Sequence, residues 1–269
     1  MERLGVIGNI SRDVAIYPGG DRVKMLGGAA LRIALASARA GLPTAPVSVI
    51  GTDLGWILGD SCLAELDLSQ VKVASGQSCA FRLVYDESGR LTDTEASFGV
   101  SARLTSHALS VIGAHGACHV CCRRPLDALA VLRRLAVAGI PFSVDFHLAS
   151  ASAIMPAAHA ALRYARAVFV NAAEFAMLAR VTDPATLNTV VISDGPRQAI
   201  VLARGQQVAA TVPPVTTVAE VTGAGDTLTG TFLAASARGL KCQAALNEAV
   251  TAASEAVSSP RLVLPAPRG

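Results

Sequence analysis

Short apolar runs alternate with longer stretches rich in alanine and leucine through most of the chain. The first run, at residues 4–8, is continuously apolar, which is typical of a strand buried on both faces of a parallel sheet. Residues 29–41 then have helical character and end on a glycine, a common signal for the end of a helix. The alternation predicts βαβ units, and hence an α/β fold with a mainly parallel central sheet flanked by helices on both faces.

The same alternation continues towards the C-terminus. Further strands are predicted at residues 45–51, 117–122, 141–145, 167–171 and 189–193, and helices at about 126–138, about 156–164 and from Asp226 onwards. No Pro/Ser-rich linker and no internal repeat interrupts this order. We therefore expect a single domain over residues 1–269, long enough to bury a sizeable core.

Two regions depart from this pattern and predict a small β lid. Residues 79–85 and 90–98 flank Asp-Glu-Ser-Gly, a polar turn with a glycine that is typical of a β-hairpin. An extended stretch that contains Pro-Gly-Gly also follows the first strand. The lid would consist of about residues 14–26 and 79–98, inserted in the single domain. Because exposed lid strands can pair between subunits, a homodimer through the lid is a further expectation.

Composition and charge exclude several classes of protein. With 52% hydrophobic and 16% charged residues, the chain has too much apolar material for a disordered protein. A scattered net charge of +3 gives no reason to expect nucleic acid or a membrane surface as a partner. No segment has the pattern of a secretory signal or the length of a membrane span, so we expect a cytoplasmic protein.

The six cysteines show no spacing of a disulfide framework and suit a reducing compartment. Residues 117–122, ACHVCC, contain a Cys-x-x-Cys pair with a histidine, but no second pair of ligands exists. The run is apolar, so it predicts a buried strand rather than a metal or redox site.

The stretch with the clearest chemical character is residues 222–226, Thr-Gly-Ala-Gly-Asp. Its two glycines allow a tight turn, and the free amides at the start of the following helix would form a pocket for an anion such as phosphate. Asp226, beside that pocket, is a candidate to accept a proton from an attacking hydroxyl. A P-loop lysine is missing, and Leu228 stands where a dinucleotide fingerprint needs glycine. A capped turn between a strand and a helix remains the alternative.

This stretch resembles the Asp-Thr-x-Gly-Ala-Gly-Asp signature of the ribokinase-like (PfkB) carbohydrate kinase family. Other segments resemble motifs of the same family and occur in the family's order along nearly the whole chain. They are Gly8-Asn9 with Asp13, Gly27-Gly28 at the start of a helix, the segment 49–55 (VIGTDLG), Asn171-Ala172-Ala173-Glu174, and the segment 191–195 (VISDG). By this resemblance the chain is identified as a member of the family, which implies a ribokinase-like fold.

The resemblance implies an ATP- and Mg²⁺-dependent kinase that phosphorylates a hydroxyl of a sugar or sugar derivative. Asp226 would be the general base that deprotonates this hydroxyl. Asn171 and Glu174 would organise Mg²⁺ through water. The amides that would hold the charge on the transferred phosphoryl group are those of Gly223, Ala224 and Gly225.

Nucleotide and substrate residues also follow from the resemblance. Ser193, Gly195 and Thr222 would contact ATP, whereas Asn9, Asp13, Gly28 and Arg32 would contact the substrate beneath the lid. Simpler roles stay open, with Asp13 as a turn residue at a strand end and Asn171 with Glu174 as a helix capping box. Four further polar residues lie near predicted strand ends at the ligand face, namely His119, Arg123, Arg124 and His147.

Several positions depart from the family pattern. Glu220-Val221 replaces the Asp-Thr that opens the signature, and Gln198 replaces the last glycine of the nucleotide strand motif. Arg32 stands where the family usually has a substrate-binding asparagine, which leads to the hypothesis of a partly anionic acceptor. The alternative is that Arg32 turns to solvent or pairs with Asp13 or Asp53.

Three functions stay open within this resemblance. A sugar kinase is favoured over a nucleoside kinase because aromatic residues, at 4%, are few for stacking a base. Phe81, Tyr85 and Phe98 of the lid can still serve that purpose. The third function is that of a catalytically weak regulator that binds nucleotide or sugar, and the intact Asp226, Asn171 and Glu174 argue against it.

Overall fold

The computed structural model describes residues 3–87, 91–214 and 222–258, with the backbone alone at Leu91. Its strands are β1 (Leu4–Ile7), β2 (Ser11–Ile16), β3 (Arg22–Gly27), β4 (Thr44–Gly51), β5 (Val71–Ala74), β6 (Ala80–Tyr85), β7 (Leu91–Ser97), β8 (Ala117–Cys122), β9 (Phe142–Phe146), β10 (Ala167–Asn171), β11 (Thr189–Ser193), β12 (Ala199–Ala203) and β13 (Gln206–Thr211). Its α-helices are α1 (Ala29–Arg39), α2 (Leu104–Val111), α3 (Ala128–Val137), α4 (Leu148–Leu162), α5 (Ala172–Val181), α6 (Ala224–Ala237) and α7 (Cys242–Ala256).

Within the part of the chain that the structure describes, nine strands form the central sheet in the order β13-β12-β11-β10-β9-β8-β1-β4-β5. The strands from β11 to β5 run parallel, and β12 and β13 extend the sheet at one edge through antiparallel pairing. Alternate residues of a strand point to opposite faces, so Val6 of β1 packs on the side of α1 and Ile7 on the side of α3 and α4. Helices therefore cover both faces, which confirms the predicted α/β fold.

The strand order reverses at the centre of the sheet, between β1 and β8. From β1 the chain continues to β4 and β5 on one side, and from β8 it continues to β9, β10 and β11 on the other. Ligands of open α/β sheets bind at such a reversal, beyond the carboxyl ends of the strands. Here these ends lead to Asn9 and Arg123, and the Asn9 side-chain amide donates a hydrogen bond to the Arg124 carbonyl across the gap (3.2 Å).

A second sheet of four strands, in the order β3-β2-β6-β7, is built from the two segments predicted as a lid. β6 and β7 form the predicted hairpin, and residues 88–90 of its turn lie outside the described residues. β2 pairs antiparallel with β3 and parallel with β6. Every second residue of β2 is buried, so the sheet directs Ser11, Asp13 and Ala15 to the interior.

One predicted helix begins at a different residue. Proline favours the first turn of a helix, so the sequence predicts a start at residue 156, whereas α4 begins at Leu148. Pro156 lies inside α4 on its exposed side, where water can replace the N–H donor that the Ser152 carbonyl loses. The hydrophobic pattern predicts none of β5, β12, β13, α2 and α7. Over the described ranges, no helix is both long and apolar enough to span a membrane.

Candidate active site

The glycine turn ahead of α6 places a carboxylate in the first turn of a helix. Gly223 is the N-cap of α6, and its φ of 89° lies in the left-handed region that favours glycine. A Cβ at this position would also collide with the guanidinium of Arg32. α6 begins at Ala224, two residues before the predicted start, and its first amides have no acceptor within the helix. Asp226 therefore lies at the positive end of a helix dipole.

Asp226 is a partly buried acid close to an arginine. Its side chain is 17% exposed, and Arg123 Nη2 lies 3.9 Å from Asp226 Oδ1. Burial raises the pKa of Asp226 above its ordinary value, and the negative charge of Asp145 adds to the rise. Arg123, Arg32 and His119 oppose the rise without cancelling it. A carboxylate with a raised pKa is suited to accept a proton near neutral pH.

Arg123 connects Asp226 to a buried polar cluster between β8 and β9. Its guanidinium pairs with Asp145, whose other carboxylate oxygen lies 3.2 Å from His119 Nε2. His119 Nδ1 is in turn 2.8 Å from the Ser143 hydroxyl oxygen. Burial disfavours both charges of the Asp145–Arg123 pair, but their attraction outweighs it, so the pKa of Asp145 is lowered and that of Arg123 is raised. His119 is fully buried inside β8 and not at the ligand face where the sequence places it.

The same cluster does not fit a metal ion. Donor atoms of His119, Cys121 and Asp145 lie within 4.8 Å of one another. Burial raises the pKa of the Cys121 thiol well above its ordinary value, so this residue stays protonated. The Asp145 carboxylate is already bound to Arg123, whose charge would repel a cation. Residues 117–122 form the buried strand β8, as their apolar run predicts.

Three buried oxygen atoms near the start of the small sheet have no hydrogen-bond partner among the described residues. They are Asn9 Oδ1, Ser11 Oγ and Asp13 Oδ1, and their residues are 3%, 0% and 6% exposed. Burial raises the pKa of Asp13 to about 6, although Ser11, Arg32 and the Phe81 backbone lower it in part. Ser11 thus lies near the carboxyl group without completing a hydrogen bond of normal geometry. Unpaired buried polar atoms are costly, so these three oxygens are candidates to form hydrogen bonds with a ligand.

Gly28 lets α1 begin directly against these residues. It is the N-cap of α1 with a φ of 98°, and a Cβ there would collide with the Asn9 carbonyl. Gly27 approaches the Asp13 carboxylate in the same way. The predicted substrate residues Asn9, Asp13 and Gly28 are therefore brought together.

Arg32 joins this end of the site to the glycine turn. Its Nη1 donates a hydrogen bond to the Thr222 carbonyl (2.9 Å). The guanidinium also lies near enough to Asp13 and Asp226 to oppose the rise that burial causes in the pKa of each carboxyl group. Asp53 is not the partner of Arg32, because its carboxylate accepts hydrogen bonds from the backbone N–H and the hydroxyl of Ser78, at 2.9 and 2.7 Å. Arg32 is half-buried, so it does not simply turn to solvent.

Thr222 contacts the small sheet as well. Its hydroxyl oxygen lies 3.0 Å from the Tyr85 hydroxyl, and the Tyr85 ring stacks on Tyr17 with centroids 5.3 Å apart. Thr222 therefore lies between α1 and the small sheet. The preceding Glu220-Val221, which departs from the family signature, lies outside the described residues.

Asn171 and Glu174 form the capping box of α5. The Asn171 side chain accepts a hydrogen bond from the Glu174 N–H, and the Glu174 carboxylate accepts one from the Asn171 N–H, both at 2.9 Å. Burial, together with the nearby Asp145, raises the pKa of Glu174. The box orients two oxygen-bearing side chains at the carboxyl end of β10, and Mg²⁺ prefers oxygen ligands. The capping role is present, and the metal role stays a prediction.

A cavity of about 480 Å³ lies between the end of β11 and the helices α6 and α7. Ser193 and Gly195, both predicted to contact ATP, line it together with Ala224 and Gly225 of the glycine turn. Much of the remaining wall is apolar and includes Leu228, Val250, Ala253 and Val257. An apolar slot that ends at a helix N-terminus suits a flat heterocycle followed by phosphates.

Ser11 is absent from the sequence predictions, and Arg123 is predicted only as a polar residue near a strand end at the ligand face. Ser11 lies two residues before Asp13 on the same face of β2, so the period of a strand was a sufficient signal for it. The contact of Arg123 with Asp145 depends on the pairing of β8 with β9, which sets Cys121 opposite Asp145. No local pattern encodes that pairing.

Comparison with known proteins extends these observations. The model of the pfkB family of carbohydrate kinases matches residues 1–268. A stretch of 103 residues is 37% identical to a cytidine kinase of Thermococcus kodakarensis and covers 38% of this chain. The match spans only 36% of the length of that protein.

Solved structures that share the fold include a nucleoside kinase and a ribokinase. The nucleoside kinase of Burkholderia thailandensis, in complex with inosine, has a TM-score of 0.84 over 95% of this chain and 91% of that one, at 18% identity. The ribokinase of Cryptococcus neoformans, in complex with ADP, has a TM-score of 0.78 over 97% of this chain and 96% of that one, at 16% identity. At these identities the likeness concerns the fold alone, and it confirms the predicted architecture.

Proposed function

The chain belongs to the pfkB family of carbohydrate kinases, which transfer a phosphoryl group to an alcohol acceptor, and from this premise we infer its reaction. We propose that it transfers the γ-phosphoryl group of ATP to a hydroxyl of a sugar or sugar derivative, with Mg²⁺ as the cofactor. The observation that carries this proposal is the set of buried, unpaired acceptors formed by Asn9, Ser11 and Asp13.

A ligand that completes the Asn9 and Asp13 oxygens must present donors at close spacing, whereas the Ser11 hydroxyl can donate or accept. Adjacent hydroxyls on a sugar ring are such donors, and a carboxylate such as Asp13 strengthens the hydrogen bonds they make. Arg32 links this cluster to the turn that carries Asp226, because it contacts the Thr222 carbonyl and influences both carboxylates. The acceptor therefore lies between Asp13 and Asp226 in our proposal.

In the proposed step, Asp226 takes the proton of the acceptor hydroxyl while its oxygen attacks the γ-phosphorus. A new O–P bond forms, the bond from the γ-phosphorus to the bridging oxygen breaks, and ADP leaves with that oxygen. The amides from Gly223 to Gly225 hold the charge on the transferred group at the positive end of α6. Asp226 then returns its proton to solvent.

ATP would occupy the cavity beside Ser193 and Gly195, with its phosphates at the start of α6. Mg²⁺, when bound, neutralises charge on those phosphates. Asn171 and Glu174 fit this ion because their oxygens are oriented by the capping box and a cation favours the ionised form of Glu174, whose pKa is raised. We expect contact through water, because the capping box already uses an oxygen of each side chain.

The small sheet acts as the lid of a single kinase domain in this proposal. The contact between the Tyr85 and Thr222 hydroxyls ties it to the glycine turn. A lid that excludes water limits wasteful hydrolysis of ATP. All six cysteines are free thiols, which suits the cytoplasm as the proposed location.

A nucleoside is the second candidate acceptor, because part of the chain is 37% identical to a cytidine kinase. Its ribose offers the same adjacent hydroxyls to Asp13. An aromatic ring also lies near this end of the site, since Asn9 donates to the Arg124 carbonyl and the Arg124 guanidinium lies 5.9 Å from the centre of the Phe98 ring.

An acceptor screen tests the proposal. The purified protein, ATP and Mg²⁺ are combined with neutral sugars, acidic sugars and nucleosides, and ADP formation is followed by a coupled assay. We expect ADP to form only when one of these classes of phosphoryl acceptor (neutral sugars, acidic sugars or nucleosides) is present. Binding of ATP or acceptor without ADP formation from any member of the panel would instead identify a regulator.

The same panel tests the hypothesis of an anionic acceptor. Arg32→Ala removes a cation between Asp13 and Asp226, so turnover of acidic members should fall by about 10-fold relative to neutral ones. The measurement is the ratio of kcat/KM for an acidic and a neutral acceptor. An unchanged ratio means that Arg32 does not select for charge.

The outer face of the small sheet predicts a homodimer. Strand pairing aligns Lys24, Val14, Arg82 and Glu95 in one row across this face, so the row runs from a basic edge on β3 to an acidic edge on β7. A two-fold axis would place the basic edge of one subunit over the acidic edge of its partner.

We expect Glu95→Lys to give monomers in light scattering and the added Lys24→Glu to restore dimers. A wild-type mass of 27.5 kDa at every concentration contradicts the dimer.

A further inference from the structure

A continuous row of buried polar groups leads from the central sheet to the proposed base. The row begins at the Ser143 hydroxyl oxygen, which lies 2.8 Å from His119 Nδ1, and continues from His119 Nε2 to Asp145 Oδ1 at 3.2 Å. The ion pair of Asp145 with Arg123 extends it to the guanidinium. The Arg123 guanidinium then lies 3.9 Å from Asp226 Oδ1. The register of β8 and β9 creates the row, because it pairs His119 with Ser143 and Cys121 with Asp145.

The row fixes the position of Arg123. His119 Nε2 can donate to the Asp145 carboxylate while Nδ1 accepts from Ser143, so a neutral imidazole satisfies both contacts. The Asp145 carboxylate is thereby oriented and presents its second oxygen to Arg123. Arg123 contacts Asp145 directly and Asp226 only at a distance, so its place is set from the sheet side.

Two carboxylates therefore share one half-buried cation. The charged groups that act on Asp226 are Arg123 in the loop after β8, Asp145 on β9 and Arg32 on α1, and the titratable imidazole of His119 on β8 faces it as well. α6 itself carries no other charged side chain. Without Arg123, Asp226 would keep its burial and its repulsion from Asp145, and both disfavour the ionised form.

We propose that Arg123 is a positioning residue that holds Asp226 in its charged, proton-accepting form, and that the His119–Asp145 pair anchors it there. The inference rests on Asp226 being the base of the proposed reaction. Arg123 acts through Asp226 in this role and needs no contact with ATP or the acceptor. Loss of its charge should therefore affect proton transfer more than binding.

A titration of Asp226 tests the inference without any need for turnover. The ¹³C signal of its carboxyl group is assigned as the one missing in Asp226→Asn, and its midpoint is measured in wild type and variants. Arg123→Gln should raise the midpoint by about one to three pH units. Asp145→Asn should lower it, because it removes the negative charge that repels ionised Asp226, while the amide oxygen can still accept the hydrogen bond that anchors Arg123.

Matched variants separate this role from a structural one. Arg133→Gln removes the same charge from the exposed side of α3 and should leave the midpoint in place. Arg123→Lys keeps the charge and should hold the midpoint near that of wild type, even if Arg123→Gln fails to fold. The proposal is overturned if the midpoint of Asp226 does not move in Arg123→Gln, or if Arg133→Gln moves it equally. It is also overturned if Arg123→Lys raises the midpoint as far as Arg123→Gln does.

Kinetics with an acceptor found by the screen give the second readout. In Arg123→Gln the acidic limb of the kcat profile should move to higher pH by the same amount, with both KM values nearly unchanged. A large rise in the KM for ATP without that shift overturns the positioning role, because Arg123 would then bind phosphate directly. Absence of turnover in wild type refutes the proposed function instead, and the titration distinguishes the two failures.

Discussion

Asparagine in place of Asp226 is expected to lower kcat by about 10²–10⁴-fold, because the acceptor hydroxyl loses the group that takes its proton. The KM values for ATP and acceptor should change little, since the amide keeps the shape of the side chain and the glycine turn keeps its amides. Steady-state kinetics with varied ATP and varied acceptor measure both quantities.

Asp127→Asn is the matched control for this substitution. Asp127 caps α3 by accepting a hydrogen bond from the Ala130 N–H at 3.0 Å, and asparagine caps a helix about as well. Its kcat should therefore equal that of wild type. If Asp226→Asn retains kcat to within about threefold, Asp226 is not the general base.

Asp13→Asn is expected to stabilise the unliganded protein and to weaken acceptor binding. Burial raises the pKa of Asp13 from 3.8 to about 6 in the folded chain. The folded state thus binds this proton more tightly than the unfolded state, so stability is greatest below about pH 4 and falls as the pH rises through 6. At pH 7 the ionised side chain lowers the free energy of unfolding by about 3 kcal/mol, and asparagine removes that penalty.

Denaturant unfolding at about pH 4 and pH 7 measures the first effect, with Asp21→Asn in the exposed β2–β3 turn as the control. The difference in stability between Asp13→Asn and wild type should grow by about 2 kcal/mol between these pH values. The acceptor KM should rise by about 10–100-fold, because hydrogen bonds to a charged group are lost. A variant with the wild-type KM and the wild-type pH dependence would exclude Asp13 from acceptor binding.

The central strands could be predicted because each is buried on both faces. Every residue of β1 is buried, and a continuous apolar run is the direct consequence in the sequence. β13 lies at the sheet edge with half-exposed and exposed residues such as Gln206, so it has no such run. α4 was placed too late because a proline inside a helix resembles one at its start.

The site was predictable only where one segment carries the whole signal. The glycine turn with Asp226 is such a segment, since the backbone freedom, the free amides and the acid are adjacent in sequence. Asn171 and Glu174 are also close in sequence, three positions apart. The same spacing produces a capping box, so the pattern alone cannot distinguish a helix cap from a metal site. The role of Arg123 requires the register of two strands, which depends on the packing of the whole sheet.

In our proposal the acceptor molecule completes the unpaired oxygens of Asn9, Ser11 and Asp13, so its binding would also lengthen the lifetime of this protein. A ligand that binds the native state alone, at 100 times its Kd, adds about 2.7 kcal/mol to the stability, which leaves about 100-fold fewer open chains for proteases. Cells rich in the acceptor would then keep more of the kinase than starved cells, at equal rates of synthesis. Supply of the metabolite and abundance of its kinase become linked through the fold alone, without a dedicated sensor.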